Sequence, residues 1–182
     1  LNLTDYSGAA SFTNPELADA YVNECIWFAD HFVPDYLAIA TELDSYLSSC
    51  PAGERAALFQ TLVRVVSAIK ARHPATVVFV YFQYENVMTK NLWTTIQPFA
   101  DMSQLYAFSS YPSLPLNGPD TGFTASTLPD DYYAPIRARL GASHPAAFVE
   151  LGHPAAPSTF GGWSSTNPQA AGARARASMQ RA

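Results

Sequence analysis

The sequence has 182 residues, which is enough for one domain with a sizeable hydrophobic core. Its 48% hydrophobic and 14% charged content is the reverse of the balance that keeps a chain disordered. A net charge of −5 and a pI near 5.2 argue against a protein that binds nucleic acid or anionic membranes, and no apolar stretch is long enough to span a bilayer.

The first half of the chain alternates strand-like and helix-like segments. Residues 1–5 look like the end of a strand, and because the chain does not begin with Met we expect a fragment or a processed piece of a longer protein. Residues 14–32 predict a helix, with Pro15 in its first turn and apolar residues at helical spacing. An apolar strand is predicted over residues 35–41, and a second amphipathic helix over residues 53–73.

The second half continues the alternation. The β-branched and aromatic run at residues 76–83 predicts a strand that is buried on both faces. The remaining predicted elements are, in order, a short helix around 92–99, a strand over 105–112, a helix over 129–141, a strand over 146–152 and a last helix that begins near Pro168.

This order of strands and helices predicts a single α/β domain, residues 1–182, in which parallel strands are covered by helices. Two arrangements satisfy the pattern, an open doubly wound sheet and part of a closed barrel. The first strand-to-helix turn lacks the glycine-rich motifs of nucleotide-binding sheets, which disfavours that version of the doubly wound fold.

Polar side chains follow the apolar strands at the point where each strand ends. Ligands of parallel α/β folds meet this edge of the sheet, and the residues there are Asp5, Glu42, Gln83, Tyr111 and Glu150. Two carboxylates that flank a sugar can cleave a glycosidic bond, one as a proton donor and the other as a nucleophile or as the base for a water. The alternative for each glutamate is a helix cap or a surface salt bridge.

Four segments carry a family resemblance: "PDYLAIATELD", "IKARHPATVVFVYFQ", "ADMSQLYAFSSYPSL" and "HPAAFVELGHPA", in this order. They resemble the (β/α)8 retaining glycoside hydrolases, the large clan that includes endo-galactanases and cellulases. The resemblance implies a partial TIM barrel of about five βα units that correspond to barrel strands three to seven. Strands one, two and eight have no counterpart in the chain.

The resemblance also implies roles for individual residues. Glu42 falls on the acid/base that ends strand four, Glu150 on the nucleophile that ends strand seven, and Tyr111 on a strand-six tyrosine that contacts the nucleophile or the sugar. Two positions depart from the clan. Thr41 stands where an Asn usually holds the sugar 2-hydroxyl, and His153 stands where an aromatic residue commonly follows the nucleophile. Both remain candidates for contact with substrate.

Two further residues complete the candidate substrate-binding set. Gln83 lies at a strand end, and Trp163 carries a ring on which the apolar face of a sugar could stack. His153, by contrast, has an equally simple interpretation as a polar loop residue. Asp44 and Glu85 are expected to face solvent, with Glu85 near enough to the mouth of the sheet to reach a sugar.

Other chemistry-bearing residues are assigned to packing. Trp27 and Trp93 are expected to be packing residues, and Tyr81 is expected in the core. Cys25 and Cys50 could pair, although their spacing does not establish it, and we expect free thiols. The chain has no H-E-x-x-H motif and no paired Cys/His spacing, so neither a metal nor any other cofactor is expected.

These features predict a glycoside hydrolase-like domain that cleaves O-glycosidic bonds by a retaining double displacement, with an oligo- or polysaccharide as its partner. Two alternatives stay open. One is a non-catalytic carbohydrate-binding or structural relative of the same fold, and the other is an α/β domain of unrelated function with structural glutamates. The sequence leaves oligomeric state and localisation open, and an extracellular or periplasmic parent fits the prediction.

Overall fold

Four parallel strands lie side by side in chain order and form one sheet. They were identified in a computed structural model that describes residues 10–112 and 128–152. The strands are β1 (Tyr36–Ala40), β2 (Val77–Gln83), β3 (Tyr106–Ser110) and β4 (Ala146–Leu151). Each corresponds to a strand expected from the sequence. The predicted strand at residues 1–5 and the predicted helix near Pro168 lie outside the described residues.

Helices connect the strands. Their bounds are α1 (Pro15–Phe32), α2 (Leu43–Ser49), α3 (Ala52–Arg72), α4 (Tyr84–Thr89), α5 (Trp93–Asp101) and α6 (Ala134–Leu140). The start of α1 follows from its sequence, because the Asn14 side chain accepts a hydrogen bond from the Glu16 amide at 3.0 Å and Pro15 fits the first turn. The short helices α2 and α4 were not predicted, and each directly follows the end of a strand.

The helices in the described part of the chain cover one face of the sheet. In β2, Val78, Val80 and Phe82 pack into a core to which every one of these helices contributes. The alternate residues Phe79 and Tyr81 pack on the opposite face, here called the inner face. A doubly wound sheet requires helices on both faces, so this one-sided cover and the sequential strand order are instead compatible with part of an α/β barrel.

The strand β4 contains one extra residue just before its glutamate. Phe148 pairs with Phe108, but the next pairing joins Glu150 to Ser109, which leaves Val149 without a counterpart on β3. In a regular strand Phe148 and Glu150 would share a face. The irregularity instead lets Phe148 pack into the core beside the helices while Glu150 takes the face of Ser109.

The strand β1 has a similar irregularity near its carboxyl end. Ala38 pairs with Phe79 and Ala40 with Val80, so Ile39 is the extra residue. Both strands that end on a glutamate therefore change register within two or three residues of it. Bulges of this kind re-aim side chains and are over-represented next to active sites.

Several packing predictions can be compared directly with the structure. Trp93 is buried in the core, and Trp27 packs on His31 and Phe32 at the surface of α1, where it is 43% exposed. Cys25 and Cys50 are free thiols, as expected, and burial raises the pKa of Cys25 to about 12. Within the described ranges, no helix combines the length and apolar character needed to cross a membrane.

Candidate active site

The carboxylate of Glu150 is held by two tyrosines on the inner face. The Tyr81 hydroxyl donates to Oε1 at 2.5 Å and the Tyr111 hydroxyl donates to Oε2 at 2.6 Å. The hydrogen bonds from Tyr111 and Tyr81 lower the pKa of Glu150 below its ordinary value, and the bond from Tyr111 has the larger effect. Glu150 therefore stays ionised at neutral and mildly acidic pH.

Tyr81 reaches Glu150 across an intervening strand. It lies on β2, and strands are about 4.8 Å apart, so its ring must pass over β3 to meet a side chain on β4. Its partner on β3 is Ala107, a fully buried residue that is small enough to lie beneath the ring. Burial, followed by the hydrogen bond to Glu150, raises the pKa of Tyr81 to about 12, and the nearby Thr41 side chain opposes part of that rise.

Tyr111 is positioned by a close approach of glycine. A Cβ built on Gly152 would lie 2.2 Å from Cε1 of the Tyr111 ring, so only glycine fits beside that ring without a shift. The Gly152 amide also donates to the Ser110 carbonyl at 3.0 Å, which joins the ends of β3 and β4. The hydrogen bond to Glu150, then burial, raises the pKa of Tyr111 to about 12.

Glu42 lies in a strained turn between β1 and α2. Its φ of 43° and ψ of 45° are left-handed, a conformation that non-glycine residues adopt rarely and mostly at turns or functional sites. Its Oε1 accepts a hydrogen bond from Ser109 Oγ at 2.9 Å, and Ser109 is the residue that pairs with Glu150. One serine thus brings the two glutamates to the same part of the inner face.

The negative charge of both glutamates acts on the same tyrosines. Glu42 and Glu150 each contribute to the raised pKa of Tyr81 and of Tyr111. Both glutamates must therefore lie near these two tyrosines, in agreement with the hydrogen bond from Ser109 to Glu42. Chemically, the arrangement offers one carboxylate kept ionised by two phenols and a second carboxyl group beside it, which suits nucleophilic and acid–base steps.

Two carboxyl groups lie buried below the glutamates. Asp44 is fully buried at the start of α2, where its Oδ1 accepts a hydrogen bond from the Gln83 amide at 2.6 Å and its Oδ2 accepts one from Asn86 Nδ2. Burial raises the pKa of Asp44 despite these bonds. The expectation that Asp44 faces solvent is therefore wrong, because the residue ties α2 to the end of β2.

Glu85 is also buried, with 4% of its surface exposed, so its predicted place in solvent is wrong too. Its Oε1 accepts from Ser110 Oγ at 2.5 Å and from the Tyr132 hydroxyl at 3.1 Å, and its Oε2 accepts from the Tyr111 amide at 3.0 Å. Burial raises the pKa of Glu85, and these hydrogen bonds only partly oppose it. Glu85 thus connects the first turn of α4 to the end of β3.

Gln83 joins the two buried carboxyls. Its Nε2 donates to Glu85 Oε2 at 2.5 Å, and its Oε1 accepts from the Asn86 amide at 2.5 Å, which caps α4. Asp44, Gln83, Glu85 and Asn86 therefore form one continuous hydrogen-bonded set, here called the polar belt. Because its side-chain amide is 5% exposed and bonded on both ends, the contact of Gln83 with a sugar stays a prediction.

The candidate residues from the sequence are distributed as follows. The structure brings Glu42, Glu150, Tyr111 and Thr41 together at the carboxyl end of the sheet, with Thr41 in contact with Tyr81. His153 and Trp163 lie outside the described residues, so their predicted contacts with substrate stay predictions.

Sequence reasoning missed two residues of this site, Tyr81 and Ser109. Tyr81 had been assigned to the core alone, yet a buried tyrosine needs a partner for its hydroxyl, and that rule was the available signal. Ser109 shares a face with Glu150 only because of the irregularity at Val149, which the sequence pattern does not reveal. In the described segments, no group of three or more His, Cys, Asp or Glu side chains is placed to hold a metal ion.

Comparison with known proteins adds no relative to this picture. No protein-family model matches the chain, and neither does any curated protein or any solved structure.

Removing one phenol should change the ionisation of Glu150. In Tyr111→Phe the carboxylate loses a charge-assisted hydrogen bond, so we expect its pKa to rise, with water offsetting part of the change. Glu150 has a depressed pKa in the folded state, so its contribution to stability is present above its unfolded pKa and is lost as pH falls through the folded value. In Tyr111→Phe that loss begins at higher pH. The ¹³C shift of the Glu150 carboxyl, followed from pH 2 to 7, measures the change.

Two further variants test whether the change in the pKa of Glu150 is specific to its hydrogen bond with Tyr111. Gly152→Ala should raise the pKa of Glu150 in the same direction, because the added methyl displaces the Tyr111 ring. Tyr36→Phe removes a hydroxyl from an exposed side chain at the opposite end of the sheet and should leave the titration as it is. An unchanged Glu150 titration in Tyr111→Phe would contradict the assigned hydrogen bond.

Proposed function

We propose that this chain is part of a (β/α)8 glycoside hydrolase that cleaves O-glycosidic bonds with retention of configuration. One observation carries the proposal: Glu150 accepts a tyrosine hydroxyl on each carboxylate oxygen, and the serine that pairs with it donates to Glu42. The strand order and one-sided helix cover support the barrel, with β1 as strand four and β4 as strand seven.

Glu150 is the nucleophile in this proposal. Its lowered pKa keeps it ionised, and the ionised form is the one that can attack the anomeric carbon. As the carboxylate oxygen forms a bond to the sugar, Tyr81 and Tyr111 remain hydrogen-bonded to the carboxyl group and hold its orientation. The leaving oxygen departs with the bonding electron pair, which produces a covalent glycosyl-enzyme.

Glu42 is the acid and then the base. It gives its proton to the leaving oxygen in the first step. In the second step it removes a proton from water as that water attacks the anomeric carbon, and the bond from the sugar to Glu150 breaks to release the carboxylate with the bonding electron pair. Retention requires carboxyl groups about 5–5.5 Å apart. A serine that donates to one glutamate and pairs with the other is compatible with this separation.

Covalent trapping tests the proposal directly. The chain is incubated with 2-deoxy-2-fluoroglycosyl fluorides of gluco, galacto, manno and xylo configuration, which form slowly hydrolysed glycosyl-enzymes, and is then digested for mass spectrometry. We expect one peptide to gain the mass of the fluorosugar at Glu150. A label on another residue, or no label from any sugar on folded protein, would remove Glu150 from the nucleophile role.

A non-catalytic carbohydrate-binding relative is the second candidate. The observation in its favour is that Thr41 lies close enough to the Tyr81 hydroxyl to lower the pKa of that group, at the position where the clan usually offers an Asn to the sugar. This candidate predicts that oligosaccharides shift the NMR signals of Tyr81 and Tyr111 without any turnover. Turnover of the same oligosaccharides would exclude it.

A further inference from the structure

We propose that the polar belt is a positioning device that sets how the Glu42 and Glu150 carboxyl groups face each other. The belt lies directly beneath the site, and its hydrogen bonds run without a break from the segment that carries Glu42 to the tyrosine that holds Glu150. The catalytic meaning of this inference rests on the proposed function, but its geometry does not.

The first half of the belt fixes Glu42. That residue sits in a strained left-handed turn, and α2 begins immediately after it without a side-chain cap. Asp44 in the first turn of α2 accepts the backbone N–H of Gln83 at 2.6 Å and the side-chain amide of Asn86. The start of α2, and with it the backbone of Glu42, is therefore tied to the end of β2 and to α4.

The second half of the belt fixes Tyr111. Glu85 accepts the Tyr111 amide at 3.0 Å and the Ser110 hydroxyl at 2.5 Å, so both residues at the end of β3 are attached to one buried carboxyl group. The hydroxyl of Tyr111 then donates to Glu150. A displacement of Glu85 would move the backbone from which this phenol projects.

Stability alone gives a poor account of the belt. Burial raises the pKa of both Asp44 and Glu85, so each carboxyl group is costly to keep ionised where it lies. Replacing buried charged sets by apolar residues of similar volume is often neutral or stabilising. A fully satisfied polar network does, however, restrict its neighbours to one arrangement. That property suits a site in which two carboxyl groups must keep a fixed position and orientation relative to each other.

A matched pair of variants at Glu85 tests the inference. Glu85→Gln keeps a carbonyl oxygen for the Tyr111 amide and for Gln83, while its NH2 group faces the Ser110 and Tyr132 hydroxyls, which can rotate to accept. Glu85→Met has similar length but accepts none of these bonds. The readout is the pKa of Glu150 from the ¹³C shift of its carboxyl group, with folding checked by circular dichroism.

We expect Glu85→Met to raise the pKa of Glu150, as Tyr111→Phe does, and Glu85→Gln to leave it near the wild-type value. In the double variant Glu85→Met/Tyr111→Phe the two effects should not add, since both act through the same phenol. A folded Glu85→Met protein with the wild-type titration of Glu150 would overturn the inference. So would full additivity in the double variant.

A measurement on the unaltered chain guards against a Glu85→Met protein that does not fold. The Tyr111 amide proton should resonate downfield and move with pH together with the Glu85 carboxyl signal, because the amide donates to that group. An amide signal that ignores the Glu85 titration would overturn the inference. Hydrolysis is not a readout in either experiment, so a chain that cleaves no glycoside would count against the proposed function only.

Discussion

Under the proposed retaining mechanism, Glu150→Gln is expected to lower kcat/KM on aryl glycosides by on the order of 10⁴–10⁶, because an amide cannot form the glycosyl-enzyme on which that mechanism depends. The substitution preserves the size of the side chain, and its oxygen can still accept one of the two tyrosine hydroxyls. Binding of oligosaccharide should therefore survive the loss of turnover. Initial rates on nitrophenyl glycosides of the sugar that traps the enzyme give the measurement.

Two variants separate this loss from a general effect of removing a carboxylate. Glu16→Gln makes the same change on the exposed side of α1 and should keep full activity. Glu42→Gln should lose about 10²–10⁴-fold on substrates whose leaving group needs a proton, and far less on dinitrophenyl glycosides, whose leaving group does not. Turnover at the wild-type rate in Glu150→Gln would contradict the nucleophile assignment.

The strands and long helices could be predicted because their signals are local. A continuous apolar run such as residues 77–83 has few solutions other than a buried strand, and the apolar stripe of α3 repeats over 21 residues. The helices α2 and α4 have seven and six residues, too few for a periodic pattern to stand out. Their carboxyl groups were accordingly assigned to solvent-facing turns.

The burial of Asp44 and Glu85 could not be predicted, because most of their hydrogen-bond partners are distant in sequence. Asp44 accepts from Gln83 and Asn86, about forty residues later, and Glu85 accepts from Ser110 and Tyr111 on another strand. From the sequence alone, a carboxyl group next to a strand end is predicted to face solvent, because the sequence does not show which donors surround it. Their convergence is a property of the parallel sheet, which brings the ends of β1, β2 and β3 to one edge.

The face of the sheet on which Glu150 lies could not be predicted from the sequence either. Strict alternation along β4 would place Glu150 on the face of Phe148, toward the helices and away from the hydroxyls of Tyr81 and Tyr111. The extra residue Val149 resolves this conflict. The ends of the predicted strands place the candidate residues at the carboxyl edge of the sheet. They do not reveal which face of the sheet each residue occupies, so Tyr81 and Ser109 could not be assigned to the site.

The second large effect is a loss of stability, expected for a substitution in the core beside the helices. This prediction does not depend on the proposed function. Phe108 is fully buried in β3, and its ring contacts those of Phe82, Tyr84 and Trp93 at centroid distances of 5.9, 5.9 and 6.3 Å. Phe108→Ala leaves a cavity that the sheet cannot close, so we expect a loss of about 3–5 kcal/mol in the free energy of unfolding. Against a total of about 5–15 kcal/mol for a typical domain, this is a large share.

The matched control is Phe32→Ala, the same change in a side chain that is 61% exposed at the end of α1. Phe32 stacks on the half-exposed Phe28 with ring centroids 4.6 Å apart, so its removal should cost about 1 kcal/mol or less. Urea unfolding followed by far-UV circular dichroism compares the two midpoints at a common slope. Equal losses in both variants would mean that the ring cluster around Phe108 does not form the core, and the sheet would then need another source of stability than its packing against the helices.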